Sequence, residues 1–109
     1  VEAGANIHAT DVRGFTPLHQ SAESGNVEVC QILIGAGANV HASTNEAMTT
    51  PLHLSAARGH VEVCQMLVEA GANVHAMNNL GDTPKDLARV HRQCAIVALL
   101  QKASDPLTK

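Results

Sequence analysis

Between Val61 and Ala70 the apolar positions Val61, Val63, Cys64, Met66, Leu67 and Val68 surround a narrow polar stripe, in which Glu62, Gln65 and Glu69 fall at i, i+3 and i+7. A helix with so thin a polar face is covered on most of its sides, so the pattern predicts a helix held between neighbours. Upstream, Thr50-Pro51 reads as a helix start. The threonine hydroxyl can accept an amide of the first turn, and proline at the first helical position gives up an amide that has no partner there. The short helix that follows, from Pro51 to Arg58, is rich in Ala and Ser, which lets another helix approach closely. Gly59 ends it in a left-handed conformation. Gly71 closes the second helix after Ala70, and residues 72–76 lead into an extended turn.

This pattern is written more than once. Residues 25–42 and 59–76 differ only at Asn26/His60, Ile32/Met66, Ile34/Val68 and Gly35/Glu69. Thr16-Pro17-Leu18-His19 returns 34 residues later as Thr50-Pro51-Leu52-His53, and 33 residues after that, in decayed form, as Thr83-Pro84-Lys85-Asp86. One pair of helices cannot bury its apolar faces alone, so each copy supplies the core of the next. In the last copy Gln101 takes the place of Ile34 and Val68, Arg92 that of Gly25 and Gly59, and Lys102 joins the outer stripe. Such a polar outer face suits a terminal cap. Asp86 stands where the other copies have histidine at the third helical position, which favours a carboxylate through the helix dipole. Residues 1–9 repeat residues 68–76 except at Ile7, so the chain opens inside the last turn of an upstream copy. The apolar face of the unit that begins at Thr16 is therefore expected to be open to association.

A period of this length carrying T-P-L-H resembles the ankyrin-repeat family, over about residues 1–103. The resemblance implies an all-α solenoid of helix-turn-helix units with β-hairpin-like turns. One domain is expected: residues 1–9 end a truncated N-terminal repeat, 10–42 and 43–76 are repeats, 77–103 form a C-terminal capping repeat, and 104–109 are a tail. The second repeat carries one extra residue between Ala42 and Thr50 and lacks the turn glycine found at Gly14 and Gly81, so its loop, residues 43–49, should bulge.

In that family the turn tips and first helices line a concave groove that binds partner proteins. The matching positions that differ between copies are Val12, Arg13 and Phe15, then Asn45, Glu46 and Met48, then Asn79, Leu80 and Asp82 in the turns. On the first helices they are Gln20, Glu23, Ser24, Ala57, Arg58, Val90 and His91. Phe15, the sole aromatic residue, is expected either to anchor a partner from a turn tip or to pack on the upstream copy's turn. The implied function is noncatalytic binding of another protein or peptide, with self-association through the uncapped N-terminal face as a further expectation. An alternative is a regulatory or substrate-docking segment of a larger enzyme or adaptor. A third reading makes the repeats a substrate: Leu33 and Leu67 lie eight residues before His41 and His75, similar to the spacing at which an asparaginyl hydroxylase modifies ankyrin repeats. Histidine replaces the preferred asparagine here.

Composition narrows the partners. A chain of 109 residues makes one domain that buries about two-thirds of its unfolded surface. No apolar run approaches the ~20 residues of a membrane span, and the first residues lack the basic and apolar layout of a secretion signal. No membrane partner is expected, and the location expected is intracellular, cytoplasmic or nuclear. Residues 1–82 hold eight acidic and two basic side chains, residues 83–109 two acidic and five basic, which argues against the concentrated basic face of a nucleic-acid binder.

The remaining candidates for chemistry are weak. Cys30 and Cys64 are equivalent in consecutive copies and Cys94 replaces Val27 and Val61. Stacked units about 8–10 Å apart leave equivalent thiols beyond disulfide reach, so all three read as buried small hydrophobes in a reducing compartment. His8, His41 and His75 recur in register at a similar spacing, too far apart to share a zinc ion. His19 and His53 are expected to bond the helix start and a neighbouring turn, whereas His60 and His91 have no ligand-spaced partner. Serines 21, 24, 43, 55 and 104 lack the strained elbow of hydrolases, and the glycines sit at helix ends and turns instead of forming a phosphate cradle. No catalysis, cofactor, metal or small-molecule substrate is expected.

Overall fold

The computed structural model describes residues 10–104; the turn read from residues 1–9 and the end of the tail, residues 105–109, lie outside them. Six helices occur among the described residues: α1 (Pro17–Ser24), α2 (Val27–Gly35), α3 (Pro51–Arg58), α4 (Val61–Glu69), α5 (Pro84–Val90) and α6 (Cys94–Ser104). Each first helix packs on the second helix of its own pair, while α1, α3 and α5 stack in one row and α2, α4 and α6 in another. No strand occurs among the described residues, so the turns are hairpin-like in path without a paired ladder. Among the described residues no helix is long and apolar enough to cross a membrane.

The three helix starts are built alike. Thr16, Thr50 and Thr83 are extended N-caps whose hydroxyls accept the amides of His19, His53 and Asp86, and each of those side chains returns a bond to the cap amide. Satisfying both donors fixes where each first helix begins. α3 has the predicted span, and α4 stops at Glu69, one residue short of the expected end, with Gly71 in the left-handed region just beyond at φ 97°. Leu18, Leu33, Leu52, Leu67, Ile96 and Leu100 fill the core between the two rows. Fully buried Ala22 and Ala56 occupy equivalent places on α1 and α3, and buried Ala88 of α5 takes the place of Ser21 and Ser55; these small side chains permit the close stacking of that row.

Histidine joins one unit to the next. His19 Nδ1 accepts the Thr16 amide at 3.1 Å while its Nε2 donates to the Thr49 carbonyl at 2.8 Å, and His53 does the same with the Thr50 amide at 3.1 Å and the Asp82 carbonyl at 2.9 Å. Only the neutral Nε2–H tautomer satisfies both partners. Both rings are fully buried, and burial pushes both imidazoles below their ordinary pKa. Acid should therefore weaken the fold. The unfolded imidazoles take protons near pH 6.5 and the folded ones only at lower pH. Stability is thus complete above about 6.5 and declines as pH falls below it, by at most about 1.4 kcal/mol per histidine per pH unit. Urea unfolding between pH 7.5 and 5.5 should show this slope, and the His19→Gln/His53→Gln chain should have lost most of it.

A different histidine bond joins the ends of the first helices. His60 makes no side-chain cap on α4; its Nε2 donates instead to the Glu23 carbonyl at 2.9 Å, in the last turn of α1. The ring lies over Gly25, where an added Cβ would sit 2.5 Å from Nδ1. Gln93 stands in the same relation to Gly59, at 2.6 Å from such a Cβ. The bond to Glu23 is one reason the unit stacks in a single register.

The loop of the second repeat is distorted as expected. In the first turn the Asp11 amide bonds the Phe15 carbonyl, and in the third the Asn78 amide bonds the Asp82 carbonyl. The second closes with one more residue, from the Thr44 amide to the Thr49 carbonyl at 3.0 Å, and the Thr44 hydroxyl accepts the Thr49 amide. Met48, exposed, takes the left-handed place of Gly14 and Gly81 at φ 55°. A side chain there is strained by about 1–2 kcal/mol, only part of which is offset by the extra freedom glycine has when unfolded. Met48→Gly should stabilise the chain by about 1 kcal/mol, read as a higher denaturation midpoint with an unchanged slope.

The thiols divide. Cys30 and Cys64 are fully buried, with sulfurs 3.2 Å from the hydroxyls of Ser21 and Ser55. Burial raises the Cys30 thiol pKa and pushes Cys64 up to about 11. Cys94 corrects the expectation of a third buried thiol: it is exposed. Its place opens the second helix of each pair, on the outside of the stack, where Val27 is half-buried and Val61 exposed.

Candidate functional site

The turn tips form a continuous edge, one step per unit. In the first, Asp11 Oδ1 accepts the amides of Arg13 at 2.8 Å and Phe15 at 3.0 Å. The Phe15 amide, followed by the amide and guanidinium of Arg13, holds the Asp11 carboxyl below the usual carboxylate range. Asn78 plays the same part in the third tip, where its Oδ1 accepts the amides of Leu80 and Asp82 at 2.9 and 3.0 Å. Between tips, the Asn45 amide donates to the Arg13 carbonyl at 2.9 Å and its Nδ2 to the Val12 carbonyl at 3.2 Å. The Asn79 amide donates to the Ala47 carbonyl, also at 2.9 Å. These bonds stitch the edge into one surface.

A cleft of about 620 Å³ opens between the first two tips, lined by Val12, Arg13, Phe15, Thr44, Asn45, Glu46 and Ala47. Phe15 is not the bare ring of the sequence expectation. The Arg13 guanidinium carbon lies 4.2 Å from its centroid, His19 stacks at a tilt 5.3 Å away, and the ring is half-buried. A cation over an aromatic face is attracted by about 0.5–1 kcal/mol at an exposed site, so Arg13 covers the ring in the free chain. The alternative, contact with the upstream turn, lies outside the described residues. Beyond the cleft, Val12, Met48, Met77 and Leu80 are exposed apolar side chains along the edge.

The other expected positions sort by what their side chains touch. Gln20, Glu46, Asn79 and His91 are exposed, as is Val90, while Ala57 is half-buried. Arg58 Nη2 lies 3.0 Å from Glu23 Oε2, an exposed pair between α3 and α1 worth about 0–1 kcal/mol. Ser24 turns back, its hydroxyl donating to the Gln20 and Ser21 carbonyls at 3.1 and 3.2 Å. Asp82 is half-buried and its backbone serves the stack through His53 and Asn78. Asn45 likewise joins tips as well as lining the cleft. Sequence reasoning passed over Thr44, Ala47 and Met77; Ala47 and Met77 differ from their counterparts and so carried the signal used for the rest, whereas Thr44 matches Thr10.

Among the described residues no group of three or more His, Cys, Asp and Glu could hold a metal ion. The surface offers shape, apolar contact and scattered charge.

Comparison with known proteins agrees with this architecture. A profile of ankyrin repeats in three copies matches residues 18–109, and one of ankyrin repeats in many copies matches residues 1–34. The chain is 39% identical over 44 residues to the mouse (Mus musculus) RelA-associated inhibitor, covering 40% of this chain and 5% of that protein. It is 42% identical over 43 residues to human (Homo sapiens) ankyrin repeat domain-containing protein 49, covering 39% of this chain and 18% of that protein. The matched stretches are thus small parts of those relatives. Stacked helix pairs, the threonine–histidine boxes and the matched profiles together place this chain in the ankyrin-repeat family.

Proposed function

We propose that the chain binds a partner protein or peptide through its turn tips and first helices and performs no catalysis itself. The observation that carries this reading is the stitched edge. A row of exposed apolar side chains beside a 620 Å³ cleft sits on backbone that is bonded from unit to unit. Ordering the surface before contact lowers the entropic cost of association. Val12, Phe15, Met48 and Leu80 supply apolar contact, and Arg13, Glu46, Arg58 and His91 supply orientation and selectivity. The 5% and 18% coverage of the relatives favours a second reading, in which this surface docks a substrate or regulator for a larger protein.

The test is capture of partners from a cell lysate by the chain and by a Phe15→Ala/Arg13→Ala/Arg58→Glu variant, with mass spectrometric identification. A protein retained by the first and lost from the second, with the helical circular dichroism of both alike, supports the reading. Equal capture by both moves the site off the tips.

A further inference from the structure

The far face of α5 and α6 departs from the faces buried within the stack. Ala56 is fully buried and Gly59 is approached by Gln93, but the equivalent places in the last unit hold Arg89 and Arg92. The face is mixed, not uniformly polar. Cys94, Val97 and Ala98, together with Arg89, Arg92 and Gln93, line an open groove of about 510 Å³.

Two observations point to what covers it. Arg92 is held in the left-handed region at φ 59°, in the place that Gly25 and Gly59 fill in the other copies. That conformation closes α5, with the Gln93 amide bonded to the Ala88 carbonyl at 2.8 Å, and so fixes where the Arg92 side chain leaves the helix end. The second is charge. Arg92 has no carboxylate within ion-pair distance among the described residues, and Arg89 reaches only Asp86, at 3.9 Å. Residues 83–109 carry five basic and two acidic side chains, the reverse of the balance elsewhere in the chain.

We propose that this face of α5 and α6 docks an acidic segment of a partner protein, with an apolar side chain over Val97 and Ala98 and carboxylates on Arg89 and Arg92. A guanidinium fork matches a carboxylate in two parallel bonds, which a strongly hydrated lysine ammonium does not. The groove supplies the apolar contact that holds such a pair away from water. This surface is separate from the turn tips, so it stands or falls independently of the function proposed above.

The experiment is selection of a displayed random 16-residue peptide library on the full chain, with counter-selection on the Arg89→Glu/Arg92→Glu variant. Recovered peptides should carry Asp or Glu on both sides of an apolar residue. Synthetic copies should bind the chain less tightly as salt rises and roughly tenfold less tightly when Arg92 is lost. The Arg92→Gly variant guards against misfolding: it should raise the denaturation midpoint while weakening peptide binding, and Phe15→Ala should leave binding unchanged. Recovery of no peptides, or of peptides without acidic enrichment, overturns the proposal, as does undiminished binding to Arg92→Gly. Sedimentation velocity showing a dimer that Arg92→Glu dissolves would assign the groove to a second copy of the chain and overturn it equally.

Discussion

Leu52→Ala should destabilise the chain by about 2–5 kcal/mol, enough to leave a measurable fraction unfolded at room temperature. Leu52 is fully buried in α3, the helix that packs on both α1 and α5. Removing its branched end therefore opens a cavity at the centre of the row, where two neighbours must collapse together to fill it. Stability in a stacked array is approximately a sum of unit and interface terms, and this change weakens one unit and both of its interfaces. Urea denaturation followed by helical circular dichroism checks it. A loss below 1 kcal/mol would mean that the core around α3 is loosely packed, contrary to the burial of Leu18, Leu67 and Ala56 beside it.

Gly25→Ala should cost about 2–5 kcal/mol, and Gly81→Ala only about 1–2 kcal/mol. Both glycines have positive φ, 76° and 82°, so both substitutions incur the left-handed penalty. The difference lies in what a methyl group meets. At Gly81 there is open space, whereas at Gly25 the His60 ring is 2.5 Å away and anchored by its bond to the Glu23 carbonyl. The ring must swing out and leave that carbonyl without its partner. Combining Gly25→Ala with His60→Ala separates the two costs: the double variant should lose little more than His60→Ala plus the left-handed penalty. Strictly additive losses would remove the ring contact as the cause.

The repeat period, the threonine–proline starts and the narrow polar stripe of α4 made the helices legible in the sequence, because each is a local rule. α3 begins and ends where Thr50-Pro51 and Gly59 place it. The role of His19 and His53 was legible too, since their bonds recur with the period. The bond from His60 to Glu23 was not. It links residues 37 apart, and the aligned residue in the first copy, Asn26, caps its own helix instead. The cover of Phe15 by Arg13 was hidden for a similar reason: it depends on the turn drawn tight by Asp11, which a list of differing positions passes over. Cys94 was misread because its alignment with two valines suggested burial, while the stack leaves that position at the outer surface.

The uneven burial of the thiols makes the chain selectively addressable. With Cys30 and Cys64 enclosed in the core, and Cys64 pushed up to about 11, a thiol-alkylating dye at neutral pH meets one accessible thiol, Cys94. A fluorophore or spin label can therefore be attached without mutagenesis, and it will sit in the groove beside Arg92, where changes in its emission or mobility report directly on whatever approaches that face of α5 and α6.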